Sequence, residues 1–168
     1  NIILIGFMGS GKTAVAKHLA KTCQKKWVDT DAMIVESTGK SIQELFEISE
    51  DYFRSQEHNI CTSLKHIRHL IIATGGGIIL HEQNRLLIKD LGFVVYLKAS
   101  ADCIYIRTKN STHRPLLNVN NKKEVISTKL AERDSLYKKT SDLTIDVDNL
   151  TISQIVDKIT LGYENSTT

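Results

Sequence analysis

With 168 residues the chain has the length of one ordinary domain, enough to bury a single core and too little for two. Apolar residues at 41% and charged residues at 24% lie near globular averages, which argues against wholesale disorder and fibrous architectures. The net charge of +3 comes from scattered Lys and Arg, suits a small anionic ligand better than nucleic acid, and accompanies no apolar run near the roughly 20 residues of a membrane-spanning helix.

The first apolar run, 2–5, is rich in β-branched residues and reads as a buried strand. It runs into Gly6-Phe7-Met8-Gly9-Ser10-Gly11-Lys12-Thr13, a full GxxxxGK[ST] match, and a helical pattern over 12–23 follows. Glycines there let consecutive N–H groups turn inward at the positive end of a helix dipole, which is a phosphate nest. Gly9, Ser10, Gly11, Lys12, Thr13 and Ala14 are the expected nucleotide-binding residues. Lys12 reaches the β- and γ-phosphates as a catalytic group, and the Thr13 hydroxyl is an expected Mg²⁺ ligand, so ATP and Mg²⁺ are the expected cofactors.

A second strand, 26–28, ends in Asp29-Thr30-Asp31. Carboxyl ends of strands form the ligand crevice of open α/β sheets, and residues two apart in extended chain share a face. Asp29 and Asp31 are therefore expected to divide the labour, one holding a magnesium-bound water and the other an acceptor hydroxyl, the alternative being a helix cap. Helical patterns follow at 42–46 and 51–65, the second containing Arg54. An arginine fork matches a carboxylate ligand, but Asp51 and Glu57, each three residues away, offer an intrahelical pair instead.

The third strand, 70–74, meets Gly75-Gly76-Gly77, an entropically costly run that favours backbone contact with a ligand over a mere loop. A helix at 82–89, a strand at 93–97 and a helix at 101–107 precede a polar, aperiodic stretch holding Arg114 and Pro115. That stretch reads as a mobile lid over about 108–123, and an arginine in such a loop, here Arg114, is usually solvated. A helix at 124–138 carries Arg133; a strand at 143–147, a helix at 153–161 and a frayed tail at 164–168 complete the chain. Strand and helix alternate throughout, so the expected fold is an α/β five-stranded parallel sheet flanked by helices, of the P-loop, nucleoside monophosphate kinase-like type, as one domain over 1–163. Cys23, Cys61 and Cys103 are odd in number and widely spaced, which points to reduced thiols in a cytoplasmic protein, and the histidines lack partners at zinc-ligand spacing.

Three further segments, in order, resemble shikimate kinase. They are Gly39, Ile42 and Phe46 leading into Phe53-Arg54-Ser55-Gln56-Glu57, then Ala73-Thr74-Gly75-Gly76-Gly77, and then Arg114-Pro115-Leu116-Leu117 followed by Arg133. Ser49 stands where that family commonly has glycine, and the stretch 146–151 lacks its usual arginine or proline. The resemblance spans about residues 2–160. It implies transfer of the ATP γ-phosphoryl to the 3-hydroxyl of shikimate, in aromatic amino-acid biosynthesis. It implies that Asp31 holds the acceptor hydroxyls while Asp29 acts on magnesium through water, that Arg54 and Arg133 clamp the acceptor carboxylate, and that Gly75, Gly76 and Gly77 let the backbone approach its ring. Arg114 would close over the transferring phosphate and Arg107 would sit near adenine. A monomer acting on a small molecule, without nucleic acid or membrane, is expected. Gluconate kinase or a nucleoside monophosphate kinase is the alternative of the same fold, and a nucleotide switch the alternative of another class.

Overall fold

The computed structural model describes residues 1–109 and 121–167. Among them five strands, β1 (Ile2–Ile5), β2 (Lys26–Asp29), β3 (Leu70–Ala73), β4 (Phe93–Lys98) and β5 (Leu143–Asp146), form one parallel sheet in the order β2-β3-β1-β4-β5. Central β1 pairs with β3 and β4, Ile2 standing opposite both Ile71 and Phe93, and β2 pairs with β3 so that Asp29 lies opposite Ala73. Every residue of β1 and β3 is buried. Parallel strands covered on both faces have that environment, which is why these segments read as unbroken apolar runs.

Helices α1 (Lys12–Thr22), α2 (Thr30–Thr38), α3 (Ile42–Ile48), α4 (Glu50–Ser63), α5 (Glu82–Leu91), α6 (Ala101–Thr108), α7 (Lys122–Thr140) and α8 (Ile152–Thr167) flank the sheet, with a 3₁₀ turn at Ile78–Leu80. Side-chain alternation along the strands divides the core in two. Ile2, Leu4, Ile71 and Val95 pack with Val15 and Leu19 of α1 and Ile155 and Ile159 of α8. Ile3, Ile5, Ile72 and Tyr96 pack on the other face with Cys61 of α4, Ile88 of α5 and Tyr137 of α7. A smaller cluster of Ile34, Leu45 and Phe53 ties α2, α3 and α4 together beside the sheet. No described helix is long and apolar enough to cross a membrane.

Three expectations change. Asp29 and Asp31 do not share a face of extended chain, because β2 ends at Asp29 and α2 begins at Thr30. Asp29 is the N-cap, its Oδ1 accepting from the backbone N–H groups of Asp31 (3.1 Å) and Ala32 (3.4 Å), so Asp31 sits in the first helical turn. The expected frayed tail at 164–168 is helical as far as Thr167, held from Tyr163, whose ring meets Phe93 edge-on at 5.6 Å. The ends of the expected lid are also helical, Thr108 in α6 and Lys122 and Lys123 in α7; Arg114, Pro115 and the rest of 110–120 lie outside the described residues.

Candidate active site

At the carboxyl end of β1 the backbone of Gly6 passes so close to its neighbours that a Cβ there would lie 2.7 Å from the Leu97 carbonyl oxygen and 2.8 Å from Ser10 Oγ. With φ at +149° as well, the position admits little but glycine. The loop that follows is braced from inside, since Lys12 Nζ donates to the carbonyl oxygens of Gly6 (2.7 Å) and Phe7 (3.1 Å). Gly9, Gly11, Lys12, Thr13 and Ala14 face the crevice above it. Ser10 does not: it is buried, and its N–H donates to the Phe7 carbonyl. From α6, Arg107 reaches the same loop and donates to the carbonyls of Gly9 (3.3 Å) and Ser10 (3.2 Å).

The Thr13 hydroxyl donates to Asp29 Oδ2 at 2.8 Å while the other carboxylate oxygen caps α2. Asp29 is thus a helix cap and a crevice residue at once. Hydroxyl and carboxylate oxygens side by side at a phosphate loop are hard donors of the kind Mg²⁺ takes, so this pair fits the expected ion.

The acceptor side is built around the three glycines, whose missing side chains are replaced by atoms of the site. A Cβ on Gly75 would lie 2.6 Å from Asp31 Oδ1 and 2.7 Å from Glu57 Oε1, and one on Gly77 would lie 2.4 Å from an Arg54 guanidinium nitrogen. One on Gly76 would lie 3.0 Å from the backbone nitrogen of Met8 in the phosphate loop. The glycines therefore let α2, α4 and the loop converge. Thr74 pins their start, its N–H and hydroxyl both donating to the Leu4 carbonyl, and the Gly75 N–H donates to Thr30 Oγ1 at 3.2 Å.

Arg54 is buried at 3% exposure between Glu57 (2.8 Å) and Glu50 (2.9 Å), with the rings of Phe53 and Phe46 at 5.2 and 5.7 Å from its guanidinium carbon. The intrahelical pair foreseen with Glu57 is present; its second partner is Glu50, not Asp51, whose side chain stays at the surface. Ser49, at the head of this helix, is extended at φ −174°, and its hydroxyl accepts from the Tyr52 N–H, so the serine serves as the N-cap of α4.

Arg54 Nε, Asp31 Oδ1 and Glu57 Oε1 are buried with no hydrogen-bond partner among the described residues. Such groups are costly in a folded protein unless a ligand meets them. Burial, with the Asp29 charge adding to it, pushes Asp31 up to about 6, while Lys12 and Arg54 pull the other way. Burial likewise pushes Glu57 up to about 7 against the pull of Arg54.

Arg133 enters the same crevice from α7, 6% exposed, its guanidinium carbon 5.5 Å from the ring of Phe7. One turn on, the Tyr137 hydroxyl donates to the Gly76 carbonyl. The whole forms a cavity of about 510 Å³ that brings together Lys12, Asp31, Arg54, Gly75, Gly76 and Gly77, with Arg107 at the nucleotide side. Sequence reasoning did not assign roles to Phe7 or Tyr137. The spacing of Arg133 and Tyr137, one helical turn apart, was a signal for the last.

A family model described as shikimate kinase matches residues 8–163. A shikimate kinase of Thermodesulfovibrio yellowstonii is 41% identical over 98% of this chain and 95% of its own, and that of Aromatoleum aromaticum is 40% identical over 86% and 83%. Among solved structures, a shikimate kinase from Acinetobacter baumannii in complex with shikimate matches with a TM-score of 0.91 at 36% identity, over 95% of this chain and 90% of that one. A gluconokinase from Sinorhizobium meliloti matches with a TM-score of 0.61 at 18% identity, a likeness of fold alone.

Proposed function

The chain belongs to the shikimate kinase family, an ATP-dependent phosphotransferase acting on a shikimate hydroxyl, and from that premise we propose how its own residues divide the work. The observation that carries the proposal is the convergence of two buried arginines, Arg54 and Arg133, and a carboxylate of raised pKa, Asp31, on one cavity floored by the phosphate loop.

Arg54 and Arg133, from separate helices, hold the shikimate carboxylate, since a planar guanidinium matches it and both lie where water is scarce. Asp31 accepts hydrogen bonds from the ring hydroxyls and takes the proton of the attacked 3-hydroxyl, which it is free to do above its pKa of about 6. The three glycines admit the ring edge. On the other side the N–H groups of Gly9, Gly11, Thr13 and Ala14 cradle the phosphates, Lys12 meets the γ-phosphoryl, and Arg107 stands near the adenine. Thr13, and Asp29 through water, would hold Mg²⁺, which would neutralise charge on the phosphates. Arg114, within a lid joining α6 to α7, closes over the transferring group; this role rests on its RPLL context. Catalysis is then positioning and electrostatics without a covalent intermediate.

The chain acts as one domain over 1–163, as a monomer on a small-molecule substrate, without nucleic acid or membrane. Its three free cysteines, with the Cys61 thiol pushed up to about 12 by burial, support a cytoplasmic setting. The test is ADP release from ATP and Mg²⁺ with shikimate, gluconate or AMP as acceptor. Shikimate alone should support turnover; comparable rates with gluconate or AMP would overturn the assignment.

A further inference from the structure

Arg133 has a support that the transfer reaction itself does not use. Tyr137 lies on the same face of α7 one turn further on and is fully buried. Its ring stacks on Tyr96 of β4 with centroids 4.7 Å apart and planes 17° apart, which fixes the direction of its hydroxyl. That hydroxyl donates to the Gly76 carbonyl. A phenol has one proton to give and lone pairs left to accept, and the Arg133 guanidinium, one turn back on the same helix face and in the same crevice, is placed to use them. The Tyr96 hydroxyl in turn donates to Asp134 Oδ1 at 3.1 Å, and Asp134 pairs with Lys138 at 2.6 Å, so α7 is tied to β4 around Tyr137. Gly76, for its part, lies against Met8 of the phosphate loop, and Arg133 lies over Phe7 of that loop.

Packing alone needs no hydroxyl at this position. Phenylalanine would stack on Tyr96 equally well, and a buried hydroxyl is unfavourable unless it is bonded. The oxygen stands between two parts of the crevice that come from different elements, the arginine on α7 and the glycine loop after β3.

We propose that the Tyr137 hydroxyl is a positioning residue for acceptor binding: it holds the Arg133 guanidinium in register with the Gly76 carbonyl, and so fixes the acceptor carboxylate at a set distance from the phosphate loop. This rests on the reading of Arg133 as a carboxylate ligand. Because Tyr137 acts through Arg133, its loss should matter only while the arginine is present.

The test is steady-state kinetics on the full chain as wild type, Tyr137→Phe, Arg133→Ala and the double variant, with thermal melting beside it. Tyr137→Phe should raise the shikimate KM roughly tenfold, as loss of one hydrogen bond to a charged group does, and leave kcat and the ATP KM within about twofold. In the Arg133→Ala background the same change should add less than about twofold. An unchanged shikimate KM in Tyr137→Phe, or an equal rise with and without Arg133, would make the hydroxyl a packing feature and overturn the proposal. If Arg133→Ala itself kept the wild-type KM, the carboxylate reading would fail and the proposal with it. Should Tyr137→Phe not fold, 4-aminophenylalanine at 137 is the second variant: it donates to Gly76 but accepts poorly from Arg133. It should also raise the KM, and a wild-type value would overturn the proposal.

Discussion

A carboxylate that serves as a base must be ionised to work and is held back from ionising by burial; Asp31, the proposed base, faces both sides of that conflict. Its pKa, raised from 3.8 to about 6, means the folded protein keeps a proton on Asp31 that the unfolded chain gives up. The stability from that neutral carboxyl is fully present below about pH 4 and is lost as pH rises through 6. Asp31→Asn, neutral at every pH, should therefore melt above wild type at pH 8, with the gap closing toward pH 4; a gap that widened on acidification would contradict the shift. Wild-type kcat/KM should fall on the acid side with a midpoint near pH 6. Gly77 supplies a second prediction at this scale. A methyl group there would press on the Arg54 guanidinium, at 2.4 Å from its nearest nitrogen, and the buried arginine has two ion pairs restraining its retreat. Gly77→Ala should cost about tenfold or more in kcat/KM for shikimate while the ATP KM stays near wild type. Equal damage to both substrates would mean the loop as a whole had moved.

Helix α2 links the two half-sites through its cap. Asp29 gives one oxygen to the first turn of α2 and the other to the Thr13 hydroxyl, so its charge and its capping can be separated by substitution. Asp29→Ser keeps an N-cap oxygen and should lose under about 1 kcal/mol of stability, whereas Asp29→Ala should lose about 1 kcal/mol. Both should need more Mg²⁺ for half-maximal turnover if the carboxylate serves the ion, and a Mg²⁺ dependence unchanged in both would remove Asp29 from that role. This helix is also where reading from sequence was weakest. Ala32, Met33, Ile34 and Val35 are consecutive apolar residues, which carry no 3.6-residue period, and the Asp29-Thr30-Asp31 run reads equally as strand end or cap. The strands were legible because burial on both faces leaves an unbroken apolar run, and the phosphate loop because its glycines sit at a strand-to-helix junction. What the glycine run accommodates was not legible, since it depends on Arg54, Asp31 and Glu57 arriving from helices distant in sequence. The Glu50 partner of Arg54 was missed in favour of Asp51, because helical spacing alone allows either.

At the scale of the molecule, the parallel order β2-β3-β1 sets the carboxyl ends of three strands side by side, and each delivers one component: the Asp29–Asp31 segment, the glycine run and the phosphate loop. Helices α4 and α7, packed on the same sheet face, then bring Arg54 and Arg133 over that edge from opposite parts of the chain. The phosphate loop follows a strand while both proposed clamp arginines come from helices, so loss of one of them should leave nucleotide affinity nearly intact. Truncating one partner of a desolvated charge pair costs on the order of 2–5 kcal/mol, or tens to thousands in affinity or turnover. The most direct measurement compares shikimate with an analogue whose carboxylate is a neutral amide, in wild type, Arg54→Ala and Arg133→Ala, with ATP affinity measured alongside. Wild type should strongly prefer the acid, and each variant should lose most of that preference at nearly unchanged ATP affinity. Retention of the full preference for the acid in both variants would contradict the clamp on which the account rests.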